Sequence, residues 1–296
     1  MGVSLTDEVR THCEKVAATA QHVRIDLDAL GELEPAPPPT LHPEFHYLEG
    51  EPADVADYIL ALNAINFGSG WFPTLRKRSW EGRPLGGYYT VSWSLADHVR
   101  AAGPPTPGWL RTVTTSEIAE ILDQGPDNEL MSLYAQALRA LGRFLGERRT
   151  LDLVAASGRS AEQLAQALAH GMAMFDDRGF YKRAQIVPSD LALAGVAEFD
   201  DLDRLTIFAD NLVPHVLRCD GVLVYDKALS TAIDAGEHLT VGGPESEIRA
   251  CAVHACELIS KRTGVPARAI DTWLWTRGQA PEYKAKPRHR CRTVFY

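Results

Sequence analysis

The sequence predicts a mainly α fold, a helical bundle with a few short strands. Three observations carry this. Apolar residues recur at helical spacing along most of the chain, capping residues stand ahead of several of those stretches, and only two short runs have the composition of strands. A chain of 296 residues, 45% of them apolar, can bury a large core. We expect one compact domain, or two lobes of about 1–150 and 151–296 with the site between them.

Residues Thr6 to Val23 place Val9, Cys13, Val16, Ala17 and Ala20 on one face, with Asp7 and Glu8 in the first turn. Pro35-Ala36-Pro37-Pro38-Pro39 then forces an extended connector, because each proline fixes φ and removes a donor. Pro52 to Phe67 reads as a helix. Asn66-Phe67-Gly68-Ser69-Gly70-Trp71-Phe72 breaks it, as a plug in the core or a platform for a flat ligand.

Gly86-Gly87-Tyr88-Tyr89-Thr90-Val91-Ser92-Trp93 is the most strand-like stretch of the first half, with a helix start expected at Ser94 to Asp97. Thr114-x-x-Glu117 is a capping box. Asn128 to Arg149 carries an apolar stripe through Leu130, Tyr134, Leu138, Leu141 and Leu145, and Ser160-x-x-Gln163 caps a helix running to Met174. Helices dominate.

Phe180 to Ile186 opens the next helix with Lys182 and Arg183 side by side. Neighbours on a helix point about 100° apart, so these cations form a solvated basic face or one of them turns toward a cavity. Asp210 sits in the apolar run Leu205 to Pro214, where a carboxylate is either paired and buried or capping a helix. Gly221 to Tyr225 reads as a short strand, Ala228 to Ala235 as a short helix, and Glu245 starts a long one that closes at Lys261-Arg262-Thr263-Gly264.

After Val265-Pro266 a last helix begins, and Asp271 is expected in its first turn, between Ile270 and the pair Trp273 and Trp275. Free N–H groups and the dipole at a helix start favour a carboxylate, so Asp271 is either an ordinary capping acid or an anion kept ionised for use. The tail from Tyr283 to Arg292 gathers cations within an acidic chain and ends in Val294-Phe295-Tyr296, which should pack back on the body.

Composition narrows the partners. A net charge of −9 argues against a nucleic-acid polymer, which needs an extended basic surface, and leaves room for a small anion in a local pocket. No apolar run approaches the length of a membrane span, and Met1 to Arg10 has no basic-then-apolar leader, so we expect no membrane and a cytoplasmic address. The five cysteines are scattered, as reduced thiols are. Cys251, His254 and Cys256 lack a C-x-x-C or a second ligand pair, so they read as buried side chains and not as a metal site. Nothing specifies an oligomeric state.

Taken together, Phe180-Tyr181-Lys182-Arg183-Ala184-Gln185-Ile186, Phe208-Ala209-Asp210, Glu245-x-Glu247-Ile248-Arg249 and Ile270-Asp271-x-x-Leu274-Trp275 resemble the queuosine salvage protein family, the queuosine 5′-phosphate N-glycosylases. The match runs from about His46 to the C-terminus and keeps the motif order. It implies a helical fold like that of the helix-hairpin-helix DNA glycosylases, in which a glycine-containing hairpin precedes a helix bearing an essential aspartate. The implied activity is release of queuine, a 7-deazaguanine base, from a small nucleotide substrate, in the service of queuine salvage and tRNA modification.

On matching positions the resemblance implies that Asp271 is the catalytic carboxylate, acting at ribose C1′ as nucleophile or as stabiliser of an oxocarbenium-like transition state. Phe208 would stack on the base, Asp210 would accept hydrogen bonds from it, and His46 would contact the base or its cyclopentenediol arm. Thr272, Trp275 and Thr276 fall where ligand contacts are expected. Lys182, Arg183 and the tail cations are our candidates for the 5′-phosphate, chosen for their charge. No metal or other cofactor is called for. The rival readings are a non-catalytic queuine binder and a nucleic-acid-binding repair module on the same hairpin.

Overall fold

A computed structural model describes residues 4–36 and 40–296. Among them are fifteen α-helices and two small antiparallel pairs of strands, so the chain is mainly α. Pro37, Pro38 and Pro39 of the expected connector lie outside the described residues.

Two helices organise the rest. Pro52–Ala64 is buried at every position from Val55 onward, which is what a helix apolar all round requires. Its one buried acid, Asp57, is satisfied: Arg149 Nε donates to it at 2.7 Å and the Thr150 N–H at 3.0 Å, so Asp57 also holds the start of the Thr150–Ala156 helix. The second organiser is Pro244–Thr263. Against it pack the Leu5–Thr19 and Val213–Cys219 helices and the strand Val23–Ile25, which pairs Val23 with Tyr225 of Leu223–Tyr225. Gly264 ends the long helix in the left-handed region at φ 75°, a conformation glycine adopts without steric cost, and its N–H donates to Ser260 O.

Most of the expected elements form, with differences that have local causes. The first helix stops at Thr19, because Val23 joins a strand. Pro52's helix ends at Ala64, and that of Asn128 ends at Leu145 on Gly146. The Ser160-capped helix ends at Gly171, with a separate 3-10 turn at Ala173–Phe175. Thr114 and Glu117 make their reciprocal capping box.

One stretch is of the other type. Of residues 86–93, expected as a strand, Gly86 is the cap and residues 87–93 the first turns of the helix Gly87–Ala102. β-branched and aromatic residues bias an eight-residue window toward strand, but the burial continues as Val91, Leu95 and Val99, a helical spacing that shows only beyond Trp93. As a helix, the segment turns Tyr88 and Tyr89 onto Trp275, edge to face at 5.4 and 5.3 Å between ring centres.

The five cysteines are unpaired, four of them buried. No helix among the described residues is long and apolar enough to cross a membrane. The tail does pack back. Tyr296 is buried, its main-chain oxygen accepts from Gly68 N–H at 3.0 Å, and its hydroxyl donates to Glu245 at 2.8 Å.

Candidate active site

Asp271, Phe208 and Asp210 line one cavity, together with His46, Lys182, Thr272, Trp275 and Thr276. Arg183 does not join them. The walls come from both halves of the chain: the 66–72 turn and the start of the Gly87–Ala102 helix on one side, and the Lys182–Leu193 and Ala267–Arg277 helices with the tail on the other.

Asp271 is not in a first turn. The last long helix starts at Ala267, so Asp271 is its fifth residue and lies beyond the free N–H groups of the helix start. Its carboxylate instead accepts from the Phe208 N–H at 2.8 Å, and it is 5% exposed. Burial pushes its pKa up to about 8, aided by the neighbouring charge of Asp210 and opposed by the Phe208 hydrogen bond and by Lys182. The expectation that the helix start would hold it ionised is therefore corrected: desolvation dominates and raises the proton affinity of the carboxyl.

Asp210 does two of the things open to it. Its Oδ1 accepts from the N–H groups of Leu212 and Val213 at 2.7 and 3.2 Å, fastening the start of the Val213–Cys219 helix, while the residue also faces the cavity. Phe208 presents a buried ring to the same space. The turn at residues 66–72 is likewise both plug and wall. Phe67 packs edge-on against Tyr134 in the core and also reaches the lining, which Asn66 and Phe72 share.

Lys182 and Arg183 part company. Lys182 points into the cavity, where Nζ donates to Asn66 O at 3.0 Å and burial lowers its pKa to about 8. Arg183 lies between the rings of Phe67 and Phe175 and donates to the carbonyls of Ala64, Met174 and Val294, so it ties three segments together away from the cavity. Both cations are buried, and neither forms a solvated face. Tyr181, which precedes them, holds φ 50°, an uncommon left-handed conformation for a bulky residue.

His46 is buried, with Nδ1 2.8 Å from His42 O and Nε2 3.0 Å from the Tyr88 hydroxyl. Nδ1 must therefore carry the proton, and Nε2 accepts from Tyr88. Burial lowers its pKa to about 4, so it is neutral at physiological pH. Thr272 Oγ1 donates back to Arg268 O at 3.1 Å, and Thr276 lies on the exposed rim.

One charged lining residue, Asp190, was not singled out in the sequence, whereas the tail cations were. Asp190 is buried, with Asn63 Nδ2 donating to its Oδ2 at 2.8 Å, and burial raises its pKa to about 6. Arg288 and Lys284 bring tail charge to the rim; Arg288 has its pKa lowered by burial, and its guanidinium has no partner among the described residues. Arg249 lies behind the wall. It makes two bonds to Asp177, at 3.1 and 2.5 Å, and its Nε donates to Ala209 O at 2.9 Å, bracing the backbone between Phe208 and Asp210.

The charges facing the cavity stand apart. Asp190, Asp210 and Asp271 share it with Lys182, Lys284 and Arg288, yet no ion pair within 4.0 Å joins any of them among the described residues. No group of three or more metal-binding side chains occurs among those residues either. Such a site can bind a ligand carrying both signs of charge, hold a flat ring against Phe208, and set a desolvated carboxylate against a centre that turns positive.

Residues 45–296 match the model of the queuosine salvage protein family. A queuosine 5′-phosphate N-glycosylase/hydrolase of Sphaerobacter thermophilus is 36% identical over 316 aligned positions, covering 97% of this chain and 97% of that protein. A protein of the same name from Mus musculus is 29% identical over 85% of both chains, and one from Schizosaccharomyces pombe is 25% identical over 98% of this chain and 96% of its own.

Proposed function

The chain belongs to the queuosine salvage protein family, and from that premise we propose that it is the hydrolase that cleaves the N-glycosidic bond of queuosine 5′-phosphate. The observation that carries the reading is the buried carboxyl of Asp271 in one cavity with Phe208 and Asp210. The site serves a small nucleotide, and the cytosol is its working compartment. The single domain has its cavity between the halves 1–150 and 151–296.

In the reaction the bond between C1′ and the base nitrogen breaks, and its electron pair leaves with the base. Water adds to C1′, giving ribose 5-phosphate, and the released base takes up a proton to become queuine. A 7-deazapurine has carbon where guanine has N7, so the usual protonation that eases departure is missing and stabilising the sugar cation matters more. Asp271, ionised beneath C1′, offsets that charge in a desolvated setting where electrostatics are strong. Its raised proton affinity also suits it to take the proton of the attacking water.

Phe208 stacks on the base, while Trp275, Tyr88 and Tyr89 form an aromatic wall beside it. Asp210, fixed by two backbone N–H groups, accepts from the donors on the base edge. His46, as a neutral ring, and the hydroxyls of Thr272 and Thr276 complete the contacts. Lys182 supplies positive charge opposite the carboxylates, and Arg288 with Lys284 takes the 5′-phosphate. Incubation with queuosine 5′-phosphate tests this: chromatography should show equal amounts of queuine and ribose 5-phosphate. Intact nucleotide bound to the protein after long incubation would make it a binder only.

A further inference from the structure

The cavity holds one more acid than base recognition and catalysis require. Asp190 lies on the Lys182–Leu193 helix, 5% exposed, and Asn63 from the Pro52–Ala64 helix fixes one of its oxygens at 2.8 Å. Its other oxygen has no hydrogen-bond partner among the described residues and is not among the fully enclosed polar atoms, so it opens to the cavity. No cation lies within 4.0 Å of it. A buried carboxylate held in one orientation and left unpaired is a costly arrangement that a cationic ligand group would relieve.

The other two acids of the cavity are already engaged: Asp271 accepts from the Phe208 N–H at 2.8 Å, and Asp210 accepts from the N–H groups of Leu212 and Val213 at 2.7 and 3.2 Å. Asp190 therefore has the free carboxylate oxygen, and the one cationic group of queuosine 5′-phosphate is carried by the substituent at C7. That substituent in queuosine is an aminomethyl arm whose secondary amine is protonated at neutral pH.

Resting on the substrate reading above, we propose that Asp190, oriented by Asn63, is the counter-ion for the secondary ammonium of the arm and makes the site selective for bases that carry it. The carboxylate accepts an N–H of the ammonium. Asp190 is a specificity residue here and takes no part in bond cleavage.

The test compares queuosine 5′-phosphate with its neutral isostere, in which CH2 replaces the amine NH. Wild type should prefer the amine by kcat/KM, and Asp190→Asn should lose on the order of a hundredfold on the amine substrate while leaving the isostere nearly unchanged. Equal losses on both substrates would overturn the proposal, because a merely structural Asp190 disturbs both alike. Should Asp190→Asn not fold, calorimetry on wild type with free queuine and the isosteric free base decides it: tighter binding of the amine supports the counter-ion, and equal binding removes it. Because this second arm needs no turnover, failure of the hydrolase reading alone leaves its outcome readable.

Discussion

The backbone N–H of Phe208 donates a 2.8 Å hydrogen bond to Oδ1 of Asp271, so the residue proposed to grip the base and the residue proposed to act on the sugar are fixed to one another. Arg249 braces the next carbonyl, that of Ala209, from behind. The proposed base platform and catalytic carboxyl are therefore a single braced unit, with a geometry that does not wait for substrate.

Activity should depend on the raised pKa of Asp271. Its ionised form is the active one in the proposed reaction, so kcat/KM should climb with pH toward about 8, where Lys182, its pKa lowered to about 8, starts to lose the charge the site uses. His46, with its pKa lowered to about 4, should add no limb near neutrality. A profile flat from pH 6 to 9 would remove Asp271 as the titrating group.

The same shift governs stability. The folded state keeps a proton on Asp271 that the unfolded chain releases above about pH 4, so this group favours folding at low pH and its contribution is lost as pH rises through about 8. Asp271→Asn keeps an acceptor for the Phe208 N–H and removes the charge. Its unfolding midpoint should exceed wild type by about 2–5 °C at pH 8.5, and by less at pH 6. Calorimetry at the two pH values checks the sign.

Arg183 and Arg288 should separate structure from binding. Arg183→Ala leaves the carbonyls of Ala64, Met174 and Val294 without their donor and should cost about 3 kcal/mol of stability. Arg288→Ala, losing an unpaired rim cation, should leave the melting curve in place and raise KM for the nucleotide about 10- to 100-fold. A smaller effect on the unphosphorylated nucleoside would locate the loss at the phosphate.

Gly70 lets the tail lie close. A Cβ there would sit 2.4 Å from the backbone oxygen of Cys291, so Gly70→Ala must displace the segment that carries Arg288 and Tyr296. We expect a lower unfolding midpoint together with a higher KM, measured on the same preparation. A normal KM would mean that the tail does not shape the phosphate end.

Much of this was legible in the sequence because it follows local rules. Thr114 with Glu117, Ser160 with Gln163, and Gly264 each announce a helix end through short-range chemistry. Asp210 takes the capping alternative, half-buried and bonded to the N–H groups of Leu212 and Val213 just ahead of the Pro214 helix. Other features depend on packing between distant segments. The Lys182–Leu193 helix is buried nearly all round, so it has no polar stripe to show that Lys182 faces the cavity and Arg183 the core, or to mark Asp190. Asp271 falls one turn deeper than expected because the helix starts directly after Pro266, and Val265-Pro266 marks a helix start without fixing its first residue.

The most direct test of the central claim is single-turnover release of queuine from queuosine 5′-phosphate by Asp271→Ala, on protein shown to be folded by its melting curve. The rate should fall by about a thousandfold or more, equivalent to about 4 kcal/mol of lost transition-state stabilisation. Release within a few-fold of wild type would contradict it.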